Sequence, residues 1–125
     1  MTKKELPRIS DAEWDVMQVA WRRGDFSAQE MIEELSHRDW SPRTVKTLLG
    51  RLLAKGALAH EPRGKAYVYR AAVQREDCVR QETESFLDRV FGGAAAPLLA
   101  HFVKRGRLSA EDIAHLRKLL DEKGK

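Results

Sequence analysis

A chain of 125 residues, 42% hydrophobic and 34% charged, has room for one ordinary soluble domain or a small one with an appendage, and enough apolar side chains to bury a core. Its single cysteine, Cys78, excludes an internal disulfide framework and a multi-cysteine metal site built by one chain. The net charge of +4 suits nucleic acid or an anionic surface without choosing between them, and with no apolar run long enough to span a bilayer a cytoplasmic protein without membrane insertion is expected.

Residues 2–8 read as a polar, mobile lead-in. Ser10-Asp11-Ala12-Glu13 then spells a capping box, with Ile9 and Trp14 placed as a hydrophobic staple. Trp14, Met17 and Trp21, joined by Val16 and Ala20, give this first helix an apolar side until Gly24 ends it. Ser27 and Glu30 repeat the start signal, Phe26 is placed to staple onto Met31, and Ala28, Met31, Ile32 and Leu35 form the stripe of a second helix. Residues 36–40 are a turn. The three tryptophans, Trp14, Trp21 and Trp40, all fall at apolar or staple positions, so core is their default role.

A third helix opens at Ser41 with Pro42 in the first helical position and stops at Gly56. Val45, Leu48, Leu49, Leu52 and Leu53 mark one buried stripe, while Arg43, Thr47, Gly50, Arg51 and Ala54 lie opposite, edged by Thr44 and Lys46. That outer face has donors for phosphates and base edges and two residues small enough for a backbone to come close, so it suits a DNA major groove. Leu58–Glu61 and Ala66–Arg70 read as a short two-stranded ribbon, with Pro62-Arg63-Gly64-Lys65 as the turn.

From Trp40 to Arg70 there are seven basic residues (Arg43, Lys46, Arg51, Lys55, Arg63, Lys65, Arg70) against Glu61 alone, a local charge of +6 compared with +4 for the whole chain. Residues 1–39 carry a net −3 and residues 71–125 a net +1, so cationic character is concentrated in one segment. A helix with a basic outer face followed by a basic hairpin is a winged helix-turn-helix arrangement. The bland alternative is a solvated helix face and a polar turn.

Beyond about Gln74 the pattern changes to helices that a winged-helix core does not require. Val79, Thr83, Phe86, Leu87, Val90 and Phe91 stripe a fourth helix, which Gly92-Gly93 breaks. Ala95, Leu98, Leu99, Phe102 and Val103 stripe a fifth, where Pro97 is tolerable because it sits in the first turn. Ser109 caps a sixth, with Ile113, Leu116, Leu119 and Leu120 inside. These helices are too small to be self-sufficient, and pairing with a second copy would cover them. The expected architecture is mainly α with a small β-hairpin: residues 1–72 a winged-helix DNA-binding domain, residues 73–125 a helical region making a homodimer through Phe86, Leu87, Val90, Leu98, Leu99, Phe102, Val103, Ile113, Leu116, Leu119 and Leu120. Folding of the tail back onto the N-terminal domain as a monomer is the alternative.

The segments I-S-D-A-E-W-D-V-M, R-T-V-K-T-L-L-G-R-L-x-x-K-G, R-G-K-A-Y-V-Y and L-S-A-E-D-I-A-H-L-R-K-L-L together resemble the penicillinase-repressor family of bacterial transcription regulators, which includes repressors of β-lactamase and methicillin-resistance genes. The resemblance covers nearly the whole chain. It implies a homodimeric winged-helix repressor that binds operator DNA of two-fold symmetry. It puts the recognition helix on residues 41–55, with Arg43, Thr44, Lys46, Thr47 and Arg51 facing double-stranded DNA, and the basic wing on 61–67, with Arg63, Lys65 and Tyr67. In the β-lactamase branch, repression is relieved by cleavage between an Asn and a Phe in the dimerisation region, which implies a membrane sensor or a protease acting on the fifth helix. The matching bond here is His101-Phe102, where the Phe is kept and the Asn is not. The copper-responsive branch carries C-x-C motifs near its C-terminus; this chain ends D-E-K-G-K, which disfavours a copper-thiolate sensor.

No enzyme is expected: His37, His60, His101 and His115 show no metal-protease spacing or adjacent nucleophile, and no phosphate loop or catalytic triad is present. Asp112 and His115, at i and i+3, read as a solvated pair rather than metal ligands, and no cofactor is called for. Cys78 lies near a helix start, a position that can lower a thiol's pKa, but reads as a plain small residue. The competing function is a helical protein-interaction module in which the basic stretch is incidental and specific DNA binding is absent.

Overall fold

The computed structural model describes residues 6–124; residues 2–5 of the lead-in lie outside the described residues. In chain order come α1 (Asp11–Arg23), α2 (Ala28–Glu34), α3 (Pro42–Lys55), β1 (Leu58–Arg63), β2 (Ala66–Ala71), α4 (Arg75–Phe91), α5 (Ala95–Lys104) and α6 (Ala110–Lys123). The chain divides between Gln81 and Glu82 into two compact units.

In the N-terminal unit the helices begin where side chains satisfy their free amides. Ser10 and Ser27 form full capping boxes with Glu13 and Glu30, and Ser41 accepts the Thr44 N–H ahead of Pro42. Gly56 ends α3 at φ +81, a left-handed conformation that side chains disfavour. The core collects Val16, Met17, Val19 and Ala20 of α1, Phe26, Met31 and Leu35 around α2, Val45, Leu48, Leu49 and Leu52 of α3, and Ala57, Leu58 and Cys78. Each large apolar side chain buried there contributes about 1.5–3 kcal/mol. Val19 lies outside the stripe expected of α1. That helix packs on α2, α3 and β2 together, so its buried arc is wider than one stripe. All three tryptophans pack against the core, and the Trp21 indole donates to the Val73 carbonyl at 2.9 Å. Leu6, Pro7 and Arg8, expected to be mobile, are tied down: the Gln81 amide donates to the Leu6 and Pro7 carbonyls at 3.4 and 3.2 Å, and Lys55 donates to that of Arg8 at 2.8 Å.

The hairpin is longer than its turn composition implies. β1 and β2 pair antiparallel from Leu58↔Ala71 to Arg63↔Ala66, leaving Gly64 and Lys65 as a two-residue turn with Gly64 at φ +64. Pro62 therefore sits inside a strand, opposite Tyr67. The reason it can do so lies across the sheet. Phe26 and Tyr69 exchange both backbone hydrogen bonds, at 3.0 and 2.8 Å, so Tyr69 turns its N–H and C=O away from β1. By strand alternation Tyr67 does the same, and the nitrogen of Pro62 faces the outer edge where no ladder bond is lost. Phe26, read as a staple for Met31, thus also anchors the hairpin, and its ring stacks on Tyr69 at 5.5 Å.

The C-terminal unit is built differently. Gly92 and Gly93, both at positive φ, break the chain after α4, and Ser109 opens α6 with a capping box closed by Asp112. No residue from 82 to 124 is buried. Phe86, Val90, Leu99, Phe102, Val103, Ile113, Leu119 and Leu120 are exposed outright, with Leu120 at 66%. Leu87, Leu98 and Leu116 are half-buried. Among the described residues no single helix is long and apolar enough to cross a membrane.

Candidate nucleic-acid interface

α3 has two faces with nothing in common. Val45, Leu48, Leu49 and Leu52 are buried, while Arg43, Thr44, Lys46, Thr47, Gly50, Arg51 and Ala54 are all exposed. The Thr47 hydroxyl donates to the Arg43 carbonyl at 3.0 Å while the residue stays exposed; a threonine methyl suits contact with a thymine methyl. Thr44 shares a hydrogen bond with the capping hydroxyl of Ser41 at 3.1 Å. Around Gly50 a Cβ would meet nothing within 4 Å, so no neighbour within the chain demands a glycine there.

The seven cations of the basic segment are not equivalent. Arg70 pairs with Glu61 and lies 3.8 Å from Asp25, and Arg63 reaches Glu61 at 3.9 Å. Lys55 turns away from the outer face and bonds Glu13 at 2.5 Å. Arg43, Lys46, Arg51 and Lys65 pair with no acid among the described residues, which leaves α3 and the hairpin tip with the uncompensated charge. On the hairpin, His60 lies edge-on to Tyr67 at 4.6 Å and stacks on Tyr69 at 5.4 Å, so an aromatic row runs from Phe26 to the half-exposed Tyr67 near the tip.

Supporting contacts hold α1 and α2 in place. Arg22 and Arg23 reach Glu34 at 2.8 and 3.1 Å, Arg23 also meets Glu30, and Arg38 in the turn before α3 pairs with Asp15 at 2.8 Å. Sequence reasoning missed Glu13. Read only as half of a capping box, its carboxylate is almost fully buried, and it accepts both the Ser10 N–H and the Lys55 ammonium. Burial pushes its carboxyl up, but the bonds from Lys55 and Ser10 outweigh this and hold it below its ordinary value. A depressed folded-state value gives stability that is full above the unfolded pKa, about 4.3, and is lost as pH falls through the folded value. The melting temperature is therefore expected to drop on acidification below about pH 4.3, and E13Q should flatten that drop.

Cys78 departs from its expectation in chemistry though not in role. Burial, and behind it the charge of Asp77, pushes the thiol up rather than down. Asp112 is occupied by the Ser109 N–H at 3.0 Å, so its carboxylate serves the cap of α6.

A three-helix core whose third helix is exposed and basic, followed by a hairpin with cations at its tip, defines a winged helix-turn-helix protein. The same fold is found in MarR from E. coli, with a TM-score of 0.54 at 16% identity over 91% of this chain and 76% of that one. The penicillinase repressor family matches residues 9–122, and the chain belongs to that family. It is 38% identical to the penicillinase repressor of Bacillus licheniformis, covering 95% of this chain and 94% of that protein. It is 35% identical to the methicillin resistance regulatory protein MecI of Staphylococcus aureus, over 92% and 94%. Among solved structures it is similar to the monomeric form of Bacillus licheniformis BlaI in complex with the blaP half-operator, with a TM-score of 0.53 and 43% identity over 60% of this chain and 93% of that one. Of these relatives, the penicillinase repressor and BlaI are repressors and MecI is a regulatory protein of methicillin resistance.

Proposed function

We propose that the protein is a transcriptional repressor that binds a two-fold-symmetric DNA operator as a homodimer, using residues 41–55 as recognition helix and 61–67 as wing. The observation that carries this reading is the exposed face of α3, where Arg43, Lys46 and Arg51 stand without an acidic partner among the described residues and Lys65 extends the charge to the wing tip. Arg43, Thr44, Lys46, Thr47 and Arg51 would supply contacts in the major groove, and Arg63, Lys65 and Tyr67 contacts to the backbone beside it. The similarity to a repressor whose structure contains a half-operator supports the same reading.

Selecting the tightest duplex from a random pool and titrating it against a scrambled one tests this. The affinity should fall steeply with salt as bound phosphates release counterions. R51A should weaken the selected duplex by about 1–3 kcal/mol, whereas K65A should weaken both duplexes alike and reduce the salt slope by about one. Isotherms unchanged by both substitutions would place the docking surface elsewhere.

Homodimerisation is supported by the C-terminal unit, which buries none of its residues from 82 to 124. Covering Phe86, Leu87 and Val90 of α4, Leu98, Leu99, Phe102 and Val103 of α5, and Ile113, Leu116, Leu119 and Leu120 of α6 with the same face of a second copy removes that surface from water. The two reading heads would then address half-sites about 34–36 Å apart or a multiple of it. Release by a protease, itself or through a membrane sensor, would act on the His101-Phe102 bond of α5, which is exposed in a single chain and reachable in the dimer only once Phe102 leaves the interface. Because a protease needs extended backbone, that helix must unwind first. Fragments of the induced protein should end at His101 and begin at Phe102; an intact chain under full induction would rule out this mode of release.

A further inference from the structure

We infer that Glu13 and Lys55 form a positioning pair that fixes how the recognition helix presents its outer face, an inference that rests on the DNA-binding reading above. Lys55 is the last residue of α3, 42 positions from Glu13, and it is a cation in the most basic stretch of the chain. Its ammonium nevertheless points back to the start of α1, donating to Glu13 Oε1 at 2.5 Å and to the Arg8 carbonyl at 2.8 Å. The same Glu13 oxygen accepts the Ser10 N–H at 2.8 Å. One carboxylate, 2% exposed, thus joins the N-cap of α1 to the last turn of α3.

The net stability of such a pair is a poor reason for its presence. The Glu13 carboxylate is buried while the Lys55 side chain is 35% exposed, so desolvation of the acid offsets the Coulombic gain and the exposed end of the pair adds little. What it adds is direction. The other contacts of α3 with the core, through Val45, Leu48, Leu49 and Leu52, are apolar and tolerate small rotations of the helix. An ammonium held between a carboxylate and a carbonyl favours one rotation over its neighbours, because turning the helix stretches one of its two bonds. At a radius of about 6 Å, half the diameter of a helix with its side chains, a 10° rotation moves an outer group by about 1 Å. That is enough to break a hydrogen bond to a base edge, whose useful range spans about half an ångström.

The opposite end of α3 is tethered to the same helix: Arg38, in the turn before it, pairs with Asp15 of α1 at 2.8 Å. That pair is more exposed, 46% and 29%, and is expected to count for less. Lys55 is therefore a positioning residue and not a phosphate contact, even though its charge and its place on the recognition helix suggest the opposite.

The experiment uses the full-length chain and the variants E13Q, K55M and E13Q/K55M. Gln keeps an acceptor for the Ser10 N–H, and Met keeps most of the lysine's length without its charge. Each protein is melted and then titrated with the duplex selected from a random pool and with its scrambled counterpart across a salt series. K55M should melt lower than the native protein, since it leaves the buried Glu13 carboxylate without its cation, E13Q should lose less because the Lys55 ammonium keeps access to water, and the double variant should recover much of the K55M loss. The double variant should still prefer the selected duplex about tenfold less strongly than the native protein does, the equivalent of one misplaced base contact, with an unchanged salt slope. A double variant with native preference would show that the pair only stabilises the fold, and a salt slope about one unit lower in K55M would make Lys55 a phosphate contact; either result overturns the inference. Native protein that binds both duplexes equally would instead defeat the DNA-binding reading itself.

Discussion

A chain stopped after Gln81 should bind a single half-site as the full-length protein does, yet bind a duplex carrying two half-sites about 10²- to 10⁴-fold more weakly than the full-length protein. The position of the stop matters. Val73, which receives the Trp21 indole, and Cys78, part of the core, lie beyond the hairpin and belong with the N-terminal unit. The bonds from Gln81 to Leu6 and Pro7 also survive a stop at this position. A shorter fragment would lose affinity through instability, which this one avoids. What it removes is the unit with no buried residues, and with it the link that in the proposed dimer would make the second binding event intramolecular. Light scattering should find the fragment monomeric at concentrations where the whole chain is a dimer. Equal affinity of the two proteins for a two-half-site duplex would show that the tail does not couple the copies.

The second large effect is expected at Phe26. Its side chain is 1% exposed, it stacks on Tyr69, and its backbone is the only bridge from the sheet to the segment before α2 among the described residues. Truncation to alanine should cost about 3–5 kcal/mol through lost burial and the cavity left behind. In a unit of this size that corresponds to a fall in melting temperature of roughly 15–30 °C. The backbone bridge does not depend on the ring, so the hairpin's pairing should persist at low temperature while its tilt loosens. Amide exchange at Tyr69 close to native below the transition, combined with a much lower transition, is the expected signature. A loss below about 1 kcal/mol would mean that the neighbouring side chains collapse into the gap.

Phe26 and Glu13 also mark where a sequence stops being informative. The capping boxes at Ser10, Ser27 and Ser109 are legible because a serine and an acidic residue three positions on satisfy each other within one turn, whatever surrounds them. The two faces of α3 are legible for a similar reason, since helical spacing alone separates Val45, Leu48, Leu49 and Leu52 from Arg43, Thr47 and Arg51. The partners of these groups across the fold are a different matter. Glu13 explains itself completely as a local cap, so nothing nearby in sequence signals Lys55. Phe26 explains itself as a staple, so nothing signals Tyr69. Lys55 counts as free charge in a composition tally, and only the fold shows that an acid distant in sequence, Glu13, removes it from that tally. Pro62 reads as a turn residue because which way its nitrogen faces depends on the strand beyond its partner.

That orientation has a consequence for how molecules of this kind meet one another. β2 has Phe26 along one side at Tyr69, so β1 forms the open margin of the ribbon, and its residues from Ala59 to Arg63 are exposed. A strand from another molecule approaching that margin would find no donor at Pro62 and opposite charges at Glu61 and Arg63 on either side. Resistance to sheet-like stacking in concentrated solution thus depends on a proline that contributes nothing to the ribbon's own ladder.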